Sequence, residues 1–161
     1  MLFSIFTYFK NLFSESSYNN TKIVFQRSLA FLYAIAYLIL INQASGLFGP
    51  KGILPAQLLL KRVEFLNAPS IFHFGFNDLL IYTYSIVGFI ISILAIFGIT
   101  ERFGHIISSI FWFYLWSIYL SFINIGQTFY SYGWETMLTE VGFLAIFLGP
   151  RNSIGKKSSQ S

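Results

Sequence analysis

Seven side chains between Ser121 and Pro150 carry most of the chemistry open to this sequence. Asn124, Gln127, Tyr130, Tyr132, Trp134, Glu135 and Glu140 lie between two strongly apolar runs, in SFINIGQTFYSYGWETMLTEVGFLAIFLGP. Carboxylates and amides are costly in hydrocarbon, so a polar group set among apolar helices needs a physical reason. Glu140 is the sharpest of them, inside the second run and flanked by Val141 and Gly142. An unpaired carboxylate there either stays protonated or finds a partner. Asn124 and Gln127, at the end of the preceding run, are the obvious donors. Three readings of Glu140 stay open: a polar clamp that fixes the turn, a ligand-binding or catalytic group, or a carboxylate solvated at the interface. Glu135, beside Trp134, reads as a headgroup-level residue. Tyr130, Tyr132 and Trp134 read as an aromatic belt.

Elsewhere the chemistry is sparse. The sequence has no H-E-x-x-H, no G-x-S-x-G and no glycine-rich phosphate loop. It has no cysteine, which excludes disulfides, thiolate nucleophiles and cysteine metal sites. Its two histidines, His73 and His105, fall in different connections. His73 reads as an interfacial aromatic-like residue and His105 as a solvated one. The expectation is therefore no catalytic, cofactor-binding or metal-ligating residues, and no cofactor.

The elements that must position these residues follow from composition. Of the 161 residues 55% are hydrophobic, 20% aromatic and only 10% charged. An ordinary soluble domain carries about 25% charged residues. Long uncharged runs predict an all-α, polytopic membrane helical bundle, with about four transmembrane helices and an N-terminal interfacial amphipathic helix. The bilayer is the expected environment. The net charge of +4 is modest, and the basic residues sit at run ends. They read as topology signals, so no nucleic-acid partner is expected.

Residues 1–22 form the amphipathic segment and a linker. Leu2, Ile5, Phe6, Phe9, Leu12 and Phe13 share one helical face, and SESSYNNTK reads as polar linker. Residues 23–150 form the transmembrane domain. Its first span runs from Ser28 to about Asn42 and can lengthen, since no charge follows until Lys51. Residues 44–77 form a long connection in which QLLLKRVEFL is expected as a short interfacial helix. Further spans are expected over 79–100 and 103–123. Ala30 and Ala34, then Ser85, Gly88, Ser92 and Ala95, then Gly142, Ala145 and Gly149 supply small faces for close helix packing. Ser117, Ser121, Asn124 and Thr128 line one side of the third span, expected to face other helices. The fourth run, 134–148, is short, about 22 Å at about 1.5 Å per residue, against about 30 Å of hydrocarbon. It either starts near Phe129 or enters as a tilted or re-entrant segment. Residues 151–161 are expected to be a disordered polar tail. With four spans, seven basic residues (Lys10, Lys22, Arg27, Arg102, Arg151, Lys156, Lys157) fall on one side and Lys51, Lys61 and Arg62 on the other. That asymmetry places both termini in the cytoplasm.

Three stretches resemble the lipase maturation factor family in the family's order. They are FQRSLAFLYAIAYLILINQASGLFGPKGILPA, APSIFHFGFND and, most specifically, N-x-G-Q-x-F-Y-x-x-x-W-E-x-x-L-x-E-x-G-F-L-A-I-F from Asn124 onward. Together they cover residues 25–150. The resemblance implies a non-enzymatic membrane protein that assists folding and assembly of lipases. It implies the endoplasmic reticulum membrane in a eukaryote and the inner membrane in a bacterium. The family continues well beyond such a segment, so the chain is expected to be a truncated or partial member. Its expected partners are lipase clients or a missing C-terminal domain. Two rivals come from other classes. A small four-helix membrane oxidoreductase fits the length but needs redox ligands within the bundle. A membrane enzyme distantly like vitamin K-dependent carboxylase needs a basic residue near its substrate.

Overall fold

The computed structural model describes residues 15–102 and 104–148 and is all-helical over them. Helix α1 spans Glu15–Phe48, and α2 is a short helix, Ala56–Leu60. A 3₁₀ turn, Ile71–Phe74, leads to α3, Asp78–Ile96. One turn of helix, α4 (Ile99–Arg102), precedes α5, His105–Ile125. A second 3₁₀ turn, Gln127–Tyr130, precedes α6, Gly133–Ile146. The reading of 15–22 as linker is corrected, because the polar stretch continues the first helix: it contains neither glycine nor proline to break it. The amphipathic segment over 1–14, Gly149 and the tail 151–161 lie outside the described residues. Four of the basic residues in the topology count lie there too.

Among the described residues three helices are long and apolar enough to cross a membrane: Asn20–Phe48, Asp78–Ile96 and His105–Ile125. The 14 residues of α6 reach about 21 Å and fall short of that length. The 3₁₀ turn before it does not extend it, since Ser131 and Tyr132 separate the two.

Helix boundaries follow local chemistry. Asn77 caps α3, its side chain accepting from the Leu80 N–H at 2.8 Å, and Asp78 sits favourably in the first turn. Gly98, at φ +68°, ends α3 in the left-handed conformation that glycine adopts without strain. Pro55 precedes the first residue of α2, and QLLLKRVEFL folds as helix only to Leu60.

The bundle packs α1 mainly on α3 and α5 on α6. In α1 the buried set Leu29, Ala30, Tyr33, Ala36, Tyr37, Leu40, Ala44 and Phe48 recurs at helical spacing. The small face of α3, Ser85, Gly88, Ser92 and Ala95, is buried, as the spacing predicts. Ser85 and Ser92 donate to Ile81 and Gly88 carbonyls in their own helix, which satisfies both hydroxyls internally.

Two tyrosines join the pairs. Tyr33 Oη donates to the Leu138 carbonyl of α6 at 3.2 Å, and Tyr37 Oη to the Leu115 carbonyl of α5 at 2.8 Å. Their rings pack with Tyr119 and Trp112 at centroid distances of 5.7–6.3 Å. Gly142 and Gly88 make room, since a Cβ at either would overlap Tyr33 or Tyr37.

Candidate functional site

The polar residues of 121–135 gather at the end of the bundle where α5 stops. Gly126 caps α5, and Gln127 adopts φ +52°, an uncommon conformation for a residue with a side chain. Asn124 Nδ2 donates to the Pro69 carbonyl at 2.7 Å, and Gln127 Nε2 to the Leu54 carbonyl at 3.2 Å. Ser121 Oγ accepts from the Ile71 N–H at 3.2 Å, and its carbonyl accepts from Ser70 Oγ at 3.1 Å. Four side chains thus pin both ends of the 49–77 connection to the last turns of α5. They answer backbone groups that would otherwise be unpaired at the edge of an apolar environment. The polar side of the third span therefore meets a loop, where another helix was expected. Beneath this cap lie Phe72, Phe122, Phe48 and Tyr130, with Phe72 and Phe122 rings 4.9 Å apart.

Of the two glutamates, Glu135 is the buried one and Glu140 the exposed one, which leaves Glu140 the solvated reading among its three. Glu135 is 3% exposed, at the start of α6, and its Oε2 accepts from the Tyr132 N–H at 3.1 Å. Glu140 is on the outer face, with Met137, Phe143 and Leu144 also exposed. Asn124 and Gln127 are engaged with the loop, so the expected clamp between them and Glu140 does not form. The reason is angular. Five residues at about 100° each place Glu140 roughly 140° round the helix from Glu135. The inward stripe is Glu135, Leu138, Thr139, Gly142 and Ala145. Counting back by threes and fours from the small residues Gly142 and Ala145 would have found Glu135.

A crevice of about 210 Å³ opens beside Glu135. It is lined by Gln43 of α1, Tyr119 of α5, and Tyr130, Tyr132, Trp134 and Glu135, with aliphatic side chains of α1 behind. Tyr119 and Gln43 were not among the residues the sequence singled out, because nothing in their local spacing marks them. Burial pushes the Glu135 carboxyl above its ordinary value, and the Tyr132 N–H works against that shift. Burial likewise raises the Tyr130 hydroxyl, with the nearby Glu135 carboxyl adding to the effect.

His73 lies away from this region, its Nε2 3.1 Å from the Ala68 carbonyl and its ring against Phe65. No group of three His, Cys, Asp or Glu that could hold a metal occurs among the described residues.

Replacing Glu135 separates the two carboxylates. Glu135→Gln keeps an acceptor for the Tyr132 N–H and is expected to leave the thermal midpoint in maltoside micelles near that of the parent. Glu135→Leu removes it and is expected to cost about 1–3 kcal/mol. Glu140→Leu, on the outer face, is expected to stay within about 0.5 kcal/mol. A larger loss for Glu140→Leu than for Glu135→Leu would contradict this placement.

Comparison with known proteins adds an independent observation. Residues 20–161 match a family model described as the lipase maturation factor transmembrane domain. Lipase maturation factor 1 of Mus musculus is 34% identical over 145 residues, covering 81% of this chain and 24% of that protein. The human protein of the same name is 33% identical over 138 residues, with the same coverage. Lipase maturation factor 2 of Xenopus tropicalis is 28% identical over 142 residues, covering 81% of this chain and 19% of its own length. The chain thus spans about a quarter of the length of the first two relatives and about a fifth of the third. No solved structure matches.

Proposed function

The chain belongs to the lipase maturation factor family, and from that premise we propose that it serves lipase maturation as a non-catalytic membrane bundle. One observation carries the reading: among the described residues, the matched stretch, 20–161, takes in every helix except the first five residues of α1. The proposed transmembrane domain is 23–150, flanked by segments 1–22 and 151–161. In a eukaryotic cell it would lie in the endoplasmic reticulum membrane, and in a bacterium in the inner membrane. The polar groups support a scaffolding role. Asn124, Gln127, Ser70 and Ser121 are spent on holding the 49–77 connection against the bundle.

A chimera tests this reading. The matched segment of the mouse relative is replaced by residues 20–161 and expressed in cells lacking their own lipase maturation factor. Secreted lipase activity is then measured per unit of lipase protein. The chimera is expected to restore activity, and residues 1–161 alone to restore far less. A chimera that reaches the membrane intact but restores nothing would overturn the proposal. Full restoration by the chain alone would overturn the scaffolding role and assign client handling to the bundle itself.

A further inference from the structure

Helix α6 runs antiparallel to α5. Ser109 Oγ, in the first turns of α5, donates to the Ile146 carbonyl at the end of α6 at 2.7 Å. Tyr33 ties the middles together. Its hydroxyl donates to the Leu138 carbonyl, and its ring packs against Trp112 and Tyr119, which flank the centre of α5. Leu138 therefore stands level with that centre. The 21 residues of α5 reach about 31 Å, against about 30 Å of bilayer hydrocarbon. The middle of α5 thus falls near the middle of the membrane. Glu140 lies two residues beyond Leu138, a rise of about 3 Å.

The solvated reading of Glu140 holds for the bundle taken alone. In a membrane the headgroups are more than about 10 Å from that depth, beyond the reach of a glutamate side chain. The surface around it is apolar, with Met137, Phe143, Leu144 and Phe147 exposed. The rings of Phe113, Trp116, Phe143 and Phe147 continue that surface in a row, with neighbouring centroids 5.2–5.6 Å apart. Among the described residues no hydrogen bond or ion pair reaches the Glu140 side chain. Lipid suits the rings but leaves the carboxyl unmet, which hydrocarbon penalises. The face therefore calls for a protein surface that offers a hydrogen bond at the same depth.

We propose that two copies of the chain associate through this outer face of α6, with Glu140 paired to its own counterpart. Insertion fixes the orientation of each copy, so a symmetric pair turns about an axis along the membrane normal. Each residue then meets its equivalent at its own depth. A carboxyl that keeps its proton both donates and accepts, so it is its own complement. Helix α6 carries no lysine or arginine, so the pair is carboxyl to carboxyl and not an ion pair. Thr136, exposed one turn earlier on the same side, brings a second self-complementary group to the axis. A second copy supplies all of this in register, whereas a foreign helix would need a polar side chain at that one level.

The test uses the full chain in phosphatidylcholine vesicles near neutral pH. The sequence has no cysteine, so Asn67→Cys, on the exposed connection, takes donor and acceptor dyes singly. Energy transfer is followed as the protein-to-lipid ratio is varied, and is expected to rise saturably above random proximity. Glu140→Leu is expected to weaken association about 3- to 30-fold, the range for a lost interhelical hydrogen bond. Its outward position leaves the packing of each bundle intact, which separates association from folding. Glu140→Gln, whose amide is also its own complement, should associate nearly as well as the parent. A second measurement needs no change at Glu140. On oxidation Thr136→Cys should cross-link two copies, and Ile35→Cys, on the exposed side of α1, should not. Transfer no greater than random proximity at every ratio would overturn the proposal. So would association unchanged in Glu140→Leu, or cross-linking through Ile35→Cys as ready as through Thr136→Cys.

Discussion

Gly88→Ala is expected to destabilise the bundle by about 2–6 kcal/mol, more than any surface change. The added Cβ would lie 2.5 Å from Tyr37 Cζ, inside van der Waals contact, and the ring is fully buried with nowhere to retreat. Overpacking of this kind costs about 1–3 kcal/mol. Displacing Tyr37 also strains its 2.8 Å bond to the Leu115 carbonyl, and an unmet buried hydroxyl adds about 1–3 kcal/mol. Gly142→Ala meets Tyr33 in the same way, with Cζ 2.9 Å from the new atom. Thermal unfolding in maltoside provides the measurement. Pairing Gly88→Ala with Tyr37→Leu supplies the control. If the clash is the cause, the double variant should cost clearly less than the sum of the two singles. Simple additivity would show that Gly88 matters for some other reason.

Arg27→Ala carries the second large effect, an expected loss of about 2–3 kcal/mol. Arg27 leaves α1 to reach the end of α3, where Nη1 donates to the Ile96 carbonyl and Nη2 pairs with Glu101 of α4 at 3.6 Å. The carbonyls at a helix C-terminus are unpaired within the helix and carry its negative end, so a guanidinium there is doubly favoured. Glu101 is only 11% exposed and would lose its ion-pair partner, keeping the attraction of Lys22. Arg27 is itself 31% exposed, and solvent screening keeps the loss below that of a fully buried pair. Arg27→Lys keeps the charge without the planar fork and should fall between parent and alanine. Gly98→Ala should also destabilise, because φ is +68° and the guanidinium Cζ lies 2.6 Å from the would-be Cβ. An Arg27→Ala variant within about 0.5 kcal/mol of the parent, the range of ordinary surface changes, would remove this latch from the account.

Composition and spacing determined the class by themselves. Uncharged runs of spanning length leave no soluble alternative, and the three long helices sit where those runs predict them. The small faces of α1 and α3 were legible for the same reason: glycine, alanine and serine at helical spacing admit a close neighbour whichever helix it proves to be. The family was legible from motif order alone, because residues 25–150 carry three separate stretches of it. Local spacing could not assign partners across the chain. Asn124 and Gln127 had to meet some acceptor. That the acceptors are the Pro69 and Leu54 carbonyls, 55 and 73 residues away, depends on how the 49–77 connection folds back. The two glutamates show the limit most clearly. Both lie near the fourth apolar run, and hydropathy ranks Glu140 as the more deeply placed. Which one is buried depends on the rotation of α6 about its axis, and that is set by Gly142 against Tyr33, a contact between residues 109 positions apart in the chain.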